Sequence, residues 1–175
     1  MTILLPETLD EVIQPIFETL PLERAMRQLV VDGPTPHPRA AEQVAEAVAQ
    51  PALAECPELV AGLWLYIDEL DRSHAVSQGL DTPTGAYWHA IMHRREGDFS
   101  NAHYWFQRAA KHPAMEQIDL TGGGAGSGTA VAAYDPDALV RQVQSAHESG
   151  ETDNPALVSA QCKEWKALFR WCVNQ

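Results

Sequence analysis

Between its chain breakers this sequence repeats apolar residues at helical spacing almost everywhere, and no run alternates cleanly with period two. The pattern predicts an all-α fold: a single-domain multi-helix bundle spanning residues 1–175. Leu9, Val12, Ile13, Ile16, Phe17 and Leu20 make a first amphipathic face, interrupted at Pro15 and closed by Pro21, and Leu22 to Val31 reads as a short second helix. Pro34, Pro36 and Pro38 impose an extended loop before a small-residue helix from Ala40 to Ala49. The longest helix is expected from Glu58 to Gln78, with Leu59, Leu63, Tyr66, Ile67 and Leu70 as its stripe. Asp135-Pro136 opens a helix to about Ala146, and a last helix runs from Pro155 to Val173 with Trp165 and Phe169 on its apolar face. Residues 121–133, around Gly122-Gly-Gly-Ala-Gly-Ser-Gly128, read as a flexible connector. The connector lacks the lysine and the preceding strand of a phosphate-binding loop, which excludes nucleotide binding there.

Charge narrows the partners. A net charge of −12 offers no basic stripe for nucleic acid or an anionic membrane. No window approaches a membrane span and the first residues carry no basic segment, so the chain is expected to stay in the cytoplasm. Cys56, Cys162 and Cys172 lack metal-like pairing and read as reduced core thiols.

Ionisable groups and aromatic rings crowd together in one place, from Ala86 to Ala110. Thr82 and Pro83 form a helix start, Gly97 ends that helix, and Asp98 caps the next one with Asn101 at its third position. The spacing Gly97-Asp98-Phe99, Ala102, Phe106, Ala109 resembles the second half of a tetratricopeptide repeat, an antiparallel helical hairpin, over about one repeat. That resemblance turns Ala86, His89, Ala90 and His93 inward. On the preceding helix, stepping by four from Leu70 carries His74 and Gln78 to interior positions as well. The wider segment, Ser73-His74 to Gln78 and then Thr82-Pro-Thr-Gly-Ala-Tyr-Trp-His-Ala-Ile-Met-His-Arg-Arg-Glu-Gly-Asp-Phe-Ser-Asn-Ala-His-Tyr-Trp-Phe, is similar to a family of uncharacterised bacterial and fungal proteins. The resemblance implies a shared architecture and a shared site.

Three readings of the site stay open. His89 and His93, one helical turn apart, suit a divalent metal ion, with His74 as a third ligand and Glu96 completing or supporting the set. The same histidines can instead be neutral core imidazoles, held by Asp98, Tyr87 or backbone carbonyls. A small polar or anionic ligand is the third possibility, surrounded by His74, Gln78, Arg94 and Asn101 between the walls of Trp88 and Trp105. Against that, Arg94 and Arg95 in the last helical turn suit surface pairing with the helix dipole and with Glu96, Asp98 or Asp71. The leading function is therefore binding of a small ligand or metal, with or without catalysis. The competing class is a tetratricopeptide-like module that recognises a protein partner and uses its histidines only structurally.

Overall fold

The computed structural model describes residues 7–33, 37–120, 134–151 and 153–175, so the glycine-rich connector at 121–133 lies outside them. Among the described residues the chain forms ten α-helices and no strand. They are α1 (Glu7–Thr19), α2 (Leu22–Ala25), α3 (Pro38–Val48), α4 (Pro51–Ala54), α5 (Pro57–Tyr66), α6 (Leu70–Ser77), α7 (Pro83–Glu96), α8 (Phe99–Ala109), α9 (Pro136–Glu148) and α10 (Pro155–Val173). A 3₁₀ turn at Pro113–Gln117 follows α8. Proline opens six of these helices, where its fixed φ suits the first turn and its missing N–H has no partner to lose. Pro15, expected to interrupt the first helix, is carried inside α1. None of the described helices is long and apolar enough to cross a membrane.

The main core gathers around α7, with α8 folded back along it and α5, α6 and α10 packed about them. Every residue of α7 from Gly85 to Arg95 is buried, so this helix has no solvent face. At its centre Trp165 of α10 stacks on Phe169 at 4.6 Å and sends its indole N–H to the Gly62 carbonyl, 3.1 Å away. Gly62 is required there: a Cβ would stand 2.8 Å from the Trp88 ring. Trp88 was a candidate wall of the ligand site, but it belongs to this aromatic core, 6.2 Å from Trp165. A second cluster, Leu29, Leu139, Val143, Ala146, Leu157 and Ala160, seals α9 against α10.

Two expectations fail, and the buried Arg95 has a part in both. The helix expected over 58–78 is broken. Asp68 adopts φ 64°, its N–H bonding to the Leu65 carbonyl at 3.3 Å and the Glu69 N–H to the Trp64 carbonyl at 3.1 Å. This is the two-bond helix stop usually built on glycine, here built on aspartate. Arg95 explains the exception. Its guanidinium stands 2.6 Å from the Asp68 carboxylate and donates to the Leu65 carbonyl at 3.1 Å. The break re-registers α6, so Ser73 and Ser77 take the interior positions and Gln78, expected inside, is exposed. The helix expected over 22–31 likewise stops at Ala25. Beyond it, side chains replace helical N–H donors: Arg95 donates to the carbonyls of Ala25 and Gln28, and Gln161 to those of Met26 and Gln28.

Candidate functional site

Helix α7 positions the site because both of its ends are fixed. Thr82 accepts the Gly85 N–H at 3.0 Å, while Gly97, at φ 85°, closes the far end with N–H bonds from Gly97 to Arg94 and from Asp98 to His93. Asp98 then caps α8 by accepting from the Asn101 N–H at 3.1 Å, the Asn101 amide at 2.7 Å and Ser100 at 3.0 Å. Those bonds, the Asn101 backbone bond first, hold the Asp98 carboxyl below the usual carboxylate range. Asn101 was a candidate ligand residue; it is exposed and spent on the cap.

His74 on α6 joins His89 and His93 on α7 in one cluster, each offering a ring nitrogen, with all three within 4.8 Å of one another. The His89 and His93 rings lie nearly parallel at 4.6 Å, and His74 meets them edge-on at 4.7 and 5.4 Å. Trp105 of α8 stacks on His89 at 4.0 Å, and the Arg108 guanidinium sits over the same indole at 5.3 Å. His89 and His93 are buried; His74 and Trp105 are partly open. The two inner histidines differ in their partners. His93 Nδ1 stands 2.6 Å from Glu96 Oε1, which leaves Nε2 as its free nitrogen. For His89, neither ring nitrogen has a hydrogen-bond partner among the described residues, although both are buried. Burial, then the nearby charges of His93 and His74, push its pKa down to about 4, so its lone pair is available at neutral pH.

His93, Glu96 and Asp98 form a second set of potential ligands. It is the poorer of the two: the His93–Glu96 contact is a hydrogen bond, Asp98 already accepts three donors, and Glu96 is exposed. Glu96 thus supports His93 from outside the trio.

Arg94, a candidate ligand contact, is fully buried and pairs with Glu164 at 2.5 Å, with Gln161 accepting at 3.4 Å. Tyr134 also donates to Glu164. Arg95 is fully buried as well, so neither arginine decorates the surface. Burial raises the Asp68 carboxyl above its ordinary value while Arg95 pulls it back. His112, beside a loop and without a site argument in the sequence, has a defined place. It is buried; its Nδ1 accepts the Ala114 N–H at 3.2 Å and its Nε2 lies 3.1 Å from the Thr84 hydroxyl. Its position in a loop gave no periodic signal; Pro113 behind it was the available hint of a cap.

A cleft of about 510 Å³ opens elsewhere, between α2 and α10, over Leu22, Val158 and Cys162. It holds no histidine, and burial first of all pushes the Cys162 thiol up to about 11, away from nucleophilic use. Cys56 and Cys172 are also free thiols. No protein-family model, curated protein or solved structure matches the chain.

Proposed function

We propose that the protein binds one first-row transition-metal ion, zinc foremost, between His74, His89 and His93. The observation that carries this reading is His89: a buried imidazole with both nitrogens unpartnered is costly unless something else occupies one of them. Three imidazole nitrogens suit zinc and its neighbours, and tetrahedral coordination would bring them to about 3.3 Å apart, closer than the 4.8 Å within which they now lie. Glu96 accepting from His93 Nδ1 supplies the outer carboxylate that orients a ligating imidazole. Trp105 braces His89 from its face.

Three protein donors leave a fourth position for water, whose acidity a bound ion would raise; this is the form in which the site supports hydrolytic chemistry. The small-ligand reading has lost Trp88, Arg94, Gln78 and Asn101 to other duties or to the surface. A tetratricopeptide-like docking module is disfavoured too, because α7, the helix that would line its groove, has no exposed face. Net charge of −12 supports a cation over a nucleic acid.

The test is metal stoichiometry. Protein dialysed free of metal and titrated with zinc should take up one ion per chain and gain thermal stability that chelator removes. His89→Ala with His93→Ala should do neither. A wild type that binds no zinc, and whose melting ignores chelator, overturns the reading.

A further inference from the structure

The third ligand arrives by a route that the other two do not share. His89 and His93 sit four apart on one helix and meet by local geometry alone. His74 lies on α6, and α6 faces α7 only because the chain reverses after α5. Asp68 makes that reversal in the left-handed region, which aspartate enters only when its surroundings over-determine it. Those surroundings are Arg95: fully buried, 2.6 Å from the Asp68 carboxylate, and hydrogen-bonded to Leu65 at the end of α5. Arg95 is two residues beyond His93, so the helix that presents two ligands also carries the cation that folds back the third. Ser73, next to His74, completes the docking by donating to the Ala61 carbonyl at 3.0 Å.

Resting on the metal reading above, we propose that Asp68 and Arg95 are positioning residues for the metal centre, holding α6 in the register that places His74 against His89 and His93. Without the ion pair the end of α5 is free to run on, and His74 leaves the trio.

Two variants test this. Asp68→Asn keeps the side-chain shape and tolerates the left-handed backbone but removes the charge. Asp68→Gly relieves the backbone and removes the carboxylate, and serves if the first does not fold. Val143→Ala, in the separate α9–α10 cluster, controls for lost stability. The expected result is that the Asp68 variants bind zinc at least tenfold more weakly than wild type, the usual lower bound for an outer partner of a ligand. In the metal-free state, the His74 ring signals should move toward unstructured values in the nuclear magnetic resonance spectrum. Val143→Ala should change neither. Zinc affinity and His74 signals that stay at wild-type values in the Asp68 variants overturn the proposal, as does an equal loss of affinity in Val143→Ala. Should wild type bind no zinc, the metal reading falls by itself, and the His74 signals still decide whether the ion pair positions that residue.

Discussion

Within seven residues of α7 two polar clusters meet the protein interior on opposite terms. Arg94 and Arg95 are largely satisfied: each faces a buried carboxylate, and carbonyls or amides take further N–H groups, while the Nε atoms have no partner. His89 is the reverse, buried with neither nitrogen engaged. One imidazole needs only a single carbonyl or hydroxyl to satisfy it. His112 shows the means in use, with Ala114 and Thr84 on its two nitrogens. On the metal reading, the contrast separates polar groups that hold the fold from one left open for a ligand.

The comparison breaks most readily at the arginines. Arg94→Met strands Glu164 in the interior and is expected to cost about 3–5 kcal/mol in urea unfolding, whereas Arg94→Met with Glu164→Leu should recover most of that loss. A single variant within about 1 kcal/mol of wild type would mean that the pair is solvated and the contrast false. At the histidines the effect should depend on metal. Zinc at a hundredfold excess over its dissociation constant is expected to stabilise wild type by about 2.7 kcal/mol and to leave His89→Ala/His93→Ala unmoved. In metal-free buffer that double variant should lose less than Arg94→Met, since His89 has no partner to strand and the Glu96 that His93 leaves behind is exposed to water.

Smaller effects sharpen the picture. Ala102 is fully buried on α8 within the core that surrounds α7, so Ala102→Leu should overpack the hairpin and lower stability by about 1–3 kcal/mol, read from the thermal midpoint. His112 gives the satisfied counterpart of His89. Its Nδ1 accepts a backbone N–H, which assigns the proton to Nε2, and burial pushes its pKa from 6.5 down to about 4. Between those values the unfolded chain binds a proton that the folded ring refuses, so stability is retained above pH 6.5 and falls as pH drops toward 4. The slope from this residue is on the order of 1 kcal/mol per pH unit. His112→Asn keeps an acceptor for Ala114 without titrating, so its stability profile over that window should be flatter than wild type; parallel profiles would show that His112 is not protonated on unfolding there.

Helix boundaries were legible where Thr82, Gly97, Asp98, Pro136 or Pro155 marked them, because capping is local chemistry, but Pro38 was read as loop and opens α3, and Pro15 lies inside α1. The histidine trio was legible for a related reason: His89 and His93 are tied by one helical turn, and His74 occupied a position that periodicity sent inward. That success was partly fortuitous, since the same step-by-four argument also sent Gln78 inside, where the break at Asp68 forbids it. The break itself left no mark, for aspartate is an uncommon helix stop and its cause, Arg95, is 27 positions further along the chain. The arginines were misplaced because their position in the last turn suggests a solvent-facing helix end, while α7 is enclosed on every side and so carries no amphipathic signal.

That enclosure bears on how substitutions would distribute along the chain. From Gly85 to Arg95 nearly every side chain is in close packing, so a saturation screen for folded protein should return a band of intolerance across α7, relieved mainly at His89 and His93. Such a band has the outward look of an extended reaction centre, yet only His89 and His93 within it would be needed for their chemistry. Sorting the band therefore needs two screens, one for folded protein and one for bound metal. The positions that pass the first and fail the second would form a set far smaller than the motif they sit in.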